Sequence, residues 1–241
     1  MLVDKYEVYT SDFKWVDLED YKDNSHVVIY SGGCDSTLLL YELSKKFGTK
    51  KNPVKALSFN YVQAINPRKI KTEKKTRNSF KQYCKKNKIY VDFLDINITT
   101  NRKYDKRACE SYSFNGIAQP YLWLTSLSTI LLGKHNIYFG YIKEDDFWFF
   151  KTEFINAFNA LQKITGTESR LIFAYSHAYK KNIIKELNEN KIYEYTWHCE
   201  MPTDDNKRCG TCHPCKKHDQ ALKQIAEEEQ EEKEVQEKVE E

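Results

Sequence analysis

No apolar run in this chain reaches the roughly 20 residues that a membrane-crossing helix requires. The longest, Tyr121–Leu132, is broken by Thr125, Ser126, Ser128 and Thr129. Glycine and proline are scarce, at 8 and 5, which excludes a collagenous or Pro/Gly-rich low-complexity protein. The opening MLVDKYEVYTSD has neither a basic start nor an apolar core. No secretion signal is read there, and a cytoplasmic protein without a membrane partner is expected. What is present argues for order: 40% hydrophobic and 14% aromatic residues exclude a mostly disordered chain. The 241 residues suffice for one large domain, or a domain with a small appendage, without disulfide staples.

The net charge of +3 conceals an asymmetry. Residues 227–241 hold nine Glu against two Lys, a net of −7, so the body before them carries +10. A basic body suits an anionic ligand such as a nucleotide or RNA, and equally suits an ordinary Lys-rich soluble protein.

Strand and helix signals alternate after about residue 25. Residues 26–30 (HVVIY), 54–61, 90–96, 136–141 and 170–175 read as strands. Residues 36–47, 67–87, 121–134, 152–164 and 176–188 read as helices. This alternation predicts an α/β fold: a Rossmann-like, doubly wound, parallel five-stranded sheet that binds ligands at the carboxyl ends of its strands. The expected organisation is an N-terminal extension over 1–25, with a short strand or hairpin; a main domain over 26–198; a cysteine knuckle and helix over 199–223; and an acidic tail over 224–241.

The most informative segment, Tyr30-Ser31-Gly32-Gly33-Cys34-Asp35-Ser36-Thr37, follows an apolar strand and opens an apolar helix. Paired glycines let the backbone turn sharply and approach an anion. The helix start adds unpaired N–H groups and the positive end of its dipole. Ser31, Ser36 and Thr37 add hydroxyls. The pattern is neither G-x-x-x-x-G-K-[ST] nor G-x-G-x-x-G. The alternative is a plain strand–turn–helix corner capped by Asp35 or Ser36.

Four of seven cysteines fall late: Cys199, Cys209, Cys212 and Cys215, spaced C-x9-C-x2-C-x2-C. Four soft ligands around Gly210 suit a structural Zn²⁺. An iron–sulfur cluster, or a Cys₃His site using His198, His213 or His218, is also compatible with the spacing. Cys34, Cys84 and Cys109 read as small buried hydrophobes.

The S-G-G-x-D-S-T motif resembles that of the PP-loop ATP pyrophosphatases, which split ATP between its α and β phosphates. That resemblance implies that Ser31, Gly32, Gly33, Asp35, Ser36 and Thr37 hold the departing pyrophosphate, with Asp35 assisting Mg²⁺ and the adenine near Phe59–Tyr61. Combined with the cysteine knuckle, the loop resembles the QueC, or 7-cyano-7-deazaguanine synthase, family from about Val27 to His218. The resemblance includes Phe59-Asn60-Tyr61, Gln63, Gly140, Glu144-Asp145-Asp146-Phe147, Glu153-Phe154 and Lys180.

The family implies ATP-dependent activation of a 7-deazaguanine carboxylate and its amination to a nitrile, with ATP, Mg²⁺ and Zn²⁺. Asp35, Ser36 and Lys180 are the implied catalytic residues; Phe59 and Tyr61 lie at the nucleotide, and Asp145 and Asp146 at the substrate. Two segments depart from the family. Ala118-Gln119-Pro120-Tyr121-Leu122-Trp123 stands where a Gly-Arg-Asn segment is usual, and Trp148-Phe149-Phe150-Lys151 where a Tyr-Pro-Asp-Cys-Arg-like stretch is usual.

Those departures leave a second reading open, a QueC-like antiphage defence enzyme that joins a deazaguanine to a protein amine. With it comes a protein partner or protein substrate; a homodimer is compatible with each of these readings. A third reading, a tRNA-modifying PP-loop enzyme, rests on the cations from Arg68 to Lys88, including Lys69, Lys75, Arg77 and Lys85. Specific tRNA binding is not expected, because the only aromatics in that segment, Phe80 and Tyr83, fall at core-facing positions.

Overall fold

Alternating strands and helices build one mixed sheet in the computed structural model, which describes residues 1–5, 7–61, 67–98, 133–203 and 207–240. The strands are β1 (Val8–Thr10), β2 (Trp15–Val16), β3 (Ser25–Ile29), β4 (Val54–Tyr61), β5 (Val91–Ile98), β6 (His135–Tyr138) and β7 (Arg170–Phe173). The long helices among the described residues are α1 (Cys34–Lys46), α2 (Pro67–Lys86), α3 (Lys151–Thr165), α4 (Lys180–Glu189) and α5 (His213–Glu240). Strand order is β2-β1-β7-β6-β3-β4-β5.

Strands β7, β6, β3, β4 and β5 run parallel, each pair in continuous register. They are the five strands expected from the sequence. The sheet nevertheless has seven strands, not five, because residues 8–16 form a hairpin whose β1 pairs antiparallel with β7. These two strands span three and two residues, too short to display a period of two, although Val8 and Tyr9 are buried.

The near-continuous apolar character of the central strands follows from burial on both faces. Val28, Tyr30, Ala56, Tyr138 and Ile172 point into one core layer with Leu39 and Leu43 of α1, Phe80 of α2 and Ile183 of α4. Val27, Ile29, Leu57, Ile137, Leu171 and Phe173 point into the other, against Phe154, Ile155 and Phe158 of α3. Helices on both faces make the fold doubly wound. Phe80 is fully buried and Tyr83 packs beside it, as the helical spacing predicts. The helix expected from residue 176 starts at Lys180, since 174–177 form a turn and 178–179 are irregular. The predicted helix over 121–134 lies almost wholly outside the described residues. Gln63, Cys109 and the departing segment 118–123 are also outside them.

The first residues are tied to the body. Glu42 of α1 is fully buried and accepts from Leu2 N at 2.5 Å, Val3 N at 3.2 Å and the Tyr175 hydroxyl at 2.9 Å. Burial raises the Glu42 pKa above the ordinary carboxylate range, and those donors only partly offset the effect. Glu42→Ala orphans three buried donors, and is expected to cost about 3 kcal/mol in urea unfolding.

Candidate active site and metal centre

The strand β3 ends at the point where the chain's course divides. Its neighbour β4 follows it through α1, whereas its other neighbour, β6, belongs to the later half of the chain. A crevice at the carboxyl ends of such strands is where doubly wound sheets bind ligands. Residues 31–37 occupy it. Gly32 adopts φ +89°, a left-handed conformation that a side chain resists. Gly33 is the N-cap of α1. Ser31 Oγ lies 3.0 Å from Ser36 Oγ and accepts from Gly33 N at 3.2 Å. Thr37 is fully buried and donates its amide to Gly33 O at 2.9 Å, which closes the first helical turn. The amides of Cys34, Asp35 and Ser36 precede that first bond and have no partner within the helix. Gly140, just beyond β6, allows close contact: a Cβ there would lie 3.2 Å from Asp35 C and Ser36 N.

Lys180 opens α4 and donates from Nζ to Asp35 Oδ1 at 2.9 Å and Oδ2 at 2.7 Å. Its side chain is 11% exposed against 25% for that of Asp35. Burial acts against the Lys180 ammonium, but Asp35, Cys34 and Asp145 outweigh it and its pKa ends above the ordinary lysine value. The Lys180 amide donates to Glu144 Oε2 at 2.6 Å, so the acidic loop caps this helix.

Asp145 belongs to the same cluster. It accepts from Ile142 N at 2.8 Å and pairs with Lys217 of α5 at 3.1 Å. Burial first, and then Asp35, raise its pKa, while Lys217 opposes them. Asp146 is exposed. Phe59 is half-buried against the α3 face of the sheet, and Tyr61 is the last residue of β4. The segment Trp148-Phe149-Phe150 is partly structural: Trp148 donates Nε1–H to Ile142 O at 2.7 Å and joins the aromatic cluster with Phe147 and Phe173, while Phe149 is 79% exposed.

The four late cysteines converge. Their sulfurs all lie within 4.8 Å of one another, and among the described residues no other three or more ligating side chains are gathered in this way. A single ion held by four thiolates at about 2.3 Å needs sulfurs this close. Four-iron clusters hang each thiolate from a different iron and spread them wider. The donor set and its spacing therefore fit one tetrahedral Zn²⁺. Gly210 at φ +72° makes the knuckle's turn. The amides of Thr211 and Cys212 donate to Cys209 Sγ at 3.4 and 3.3 Å, and these contacts pull its pKa down to about 6. His198 and His218 contact each other edge to face at 3.9 Å, and neither they nor the exposed His213 join the sulfur cluster.

Three residues that no motif singles out support the site, and two of them, Trp197 and Lys217, tie it to the knuckle and the helix that follows. Trp197 donates its backbone N–H to Gly32 O at 2.8 Å and its indole N–H to Cys199 O at 2.8 Å. Lys217 joins α5 to the acidic loop, also donating to Glu144 O at 2.8 Å. Arg77, which the sequence places among the cations of the basic segment from Arg68 to Lys88, is buried beneath the loop and donates to Ser31 O at 3.1 Å. Arg68, Lys71, Lys74, Lys75, Lys81, Lys85, Lys86 and Lys88 are exposed.

The family model described as "Queuosine biosynthesis protein QueC" matches residues 25–226. The 7-cyano-7-deazaguanine synthase of Campylobacter jejuni subsp. jejuni serotype O:6 is 30% identical over 220 residues, covering 78% of this chain and 88% of its own. That of Leptospira biflexa serovar Patoc is 26% identical over 215 residues, covering 78% and 86%. Among solved structures, the U34-tRNA thiolase NcsA from Methanococcus maripaludis with its [4Fe-4S] cluster aligns with a TM-score of 0.47 at 14% identity, over 83% of this chain and 66% of that one. With a family model matching most of its length, and with the loop and cysteine knuckle both in place, the chain belongs to the QueC family.

Proposed function

We propose that this chain is an ATP-dependent ligase that forms AMP and pyrophosphate while activating a 7-deazaguanine carboxylate, and that ammonia then carries the product to the nitrile. The observation that supports it best is the placement of the Ser31–Thr37 loop at the sheet's switch point, with the Asp35–Lys180 pair at its open end. The substrate carboxylate attacks the α-phosphorus of ATP and pyrophosphate leaves. Ammonia attacks the acyl carbon of the adenylate and AMP leaves, which gives the amide. The amide oxygen attacks a second ATP in the same way, and loss of AMP and a proton forms the nitrile.

The protein's task is to align the carboxylate with phosphorus and to stabilise the departing charge. The first-turn amides of α1 and the hydroxyls of Ser31 and Ser36 take the pyrophosphate. Lys180, which keeps its proton, supplies a point charge to the phosphoryl oxygens. Asp35 offers oxygen ligands of the kind Mg²⁺ prefers, and the ion would neutralise phosphate charge. Cys199, Cys209, Cys212 and Cys215 would hold Zn²⁺ in a closed, structural site. Asp145 is the better placed of the two acids to meet a base edge, since Asp146 stands at the surface.

The test is an assay with ATP, 7-carboxy-7-deazaguanine and ammonium. AMP, pyrophosphate and the nitrile are expected, without ADP and without a requirement for tRNA. AMP without nitrile points to conjugation of the activated group to another amine. No AMP with any deazaguanine acid sinks the proposal.

A further inference from the structure

Arg77 sits in the middle of α2 with only 4% of its surface exposed. Its Nη1 donates to Ser31 O at 3.1 Å, and its Nη2 to Asn60 Oδ1 at 2.6 Å and Asp95 Oδ1 at 3.3 Å. One guanidinium thus gathers the loop after β3 and residues of the adjacent strands β4 and β5. A Cβ on Gly32 would lie 3.0 Å from Arg77 Cγ, so the loop rests directly on this side chain. The Nε–H is buried and finds no acceptor among the described residues. The carboxylates that face the guanidinium are Asp95, half exposed, and Glu73 at 4.0 Å. Both carbonyls at the turn of the loop are engaged by protein donors, Ser31 O by Arg77 and Gly32 O by Trp197 N at 2.8 Å.

An anion-binding loop presents N–H groups and must keep its carbonyl dipoles off the anion. We propose that Arg77 is a positioning residue for the nucleotide's pyrophosphate, holding the Ser31 carbonyl away from the anion and placing a buried cation behind the loop. It acts through Ser31 and Gly32 without touching the nucleotide. A guanidinium suits this role because its forked donors hold several acceptors at once and it stays charged when buried. The proposal rests on the reading of residues 31–37 as the pyrophosphate site.

The experiment is calorimetric titration of the full-length, metal-loaded protein and three variants with pyrophosphate, ATP and adenosine. Arg77→Met is expected to weaken pyrophosphate and ATP by about 10- to 100-fold, the worth of a lost charged hydrogen bond, with adenosine little changed. Arg77→Lys restores part of the loss, since the charge survives but the fork does not. Asp95→Asn removes a partly screened negative charge beside the guanidinium, and is expected to strengthen pyrophosphate binding about 2- to 5-fold. If Arg77→Met does not fold, Arg77→Lys and Asp95→Asn carry the test. Equal weakening of all three ligands, or an Asp95→Asn protein that binds pyrophosphate no better than wild type, overturns the role of Arg77. Wild-type protein that binds neither pyrophosphate nor ATP overturns the pyrophosphate site itself, a separate and distinguishable outcome.

Discussion

Asp35→Ala is expected to lower AMP formation by about a thousandfold, the scale of removing a preorganised electrostatic group from a transition state. The variant also leaves the Lys180 ammonium without its principal partner in a site where its side chain is 11% exposed. Breaking a buried pair from one side costs about 3–5 kcal/mol. A loss of turnover in Asp35→Ala alone is therefore ambiguous. Lys180→Met in the Asp35→Ala background separates the two effects. The double variant is expected to regain most of the lost stability in urea unfolding, because an apolar side chain replaces an orphaned charge. It is not expected to regain turnover. Asp35→Ala protein that is as stable as wild type would show that the pair is not closed in solution. A double variant that forms AMP at the wild-type rate would remove both residues from the chemistry. Ser36→Ala should also impair turnover with less effect on stability, since Ser36 is linked to Ser31 Oγ at 3.0 Å and to no buried charge.

Cys212→Ser carries the second large expected effect. Three thiolates and a hydroxyl hold Zn²⁺ far more weakly than four thiolates, and metal affinity in such knuckles is folding free energy. One tightly held zinc per chain is expected in wild-type protein by elemental analysis. In Cys212→Ser the metal should leave to a mild chelator, and the chain after about residue 196 should become sensitive to protease. The damage should also reach the loop, because Trp197 bonds both Cys199 O and Gly32 O. Nucleotide affinity is therefore expected to fall as well, by less than in Asp35→Ala. An iron-coloured wild-type protein, or Cys212→Ser protein that keeps its metal and its protease resistance, contradicts this account.

The parallel core of the sheet was legible because its signals are local. Each of β3 to β7 is an apolar segment set apart by punctuation, and the helices between them show the 3.6-residue period. The same holds for the loop, in which strand end, paired glycines and helix start are consecutive. The cysteine spacing was legible for a different reason: four sulfurs in a chain this size converge on few arrangements other than a metal. The edge hairpin of β1 and β2 was harder to read, since two- and three-residue strands carry almost no pattern and are defined by pairing with a distant β7.

By itself, then, the sequence determined the parallel βα order, the strand–loop–helix course of residues 30–37 and the spacing of the four late cysteines, all of which depend on neighbours along the chain. Tertiary structure alone decided which charges are surface and which are site. Arg77 and Lys81 stand in the same basic helix four residues apart, yet Arg77 is buried under Gly32 while Lys81 is exposed. Nothing in composition distinguishes them, because the acceptors that make burial of Arg77 tolerable come from Ser31 in the loop after β3, Asn60 on β4 and Asp95 on β5. Lys180 meets Asp35, and Lys217 meets Asp145, only after the sheet has brought together residues 145 and 72 positions apart. A buried charge needs its partners within a few ångströms, and that proximity is a property of the fold, not of the order of residues.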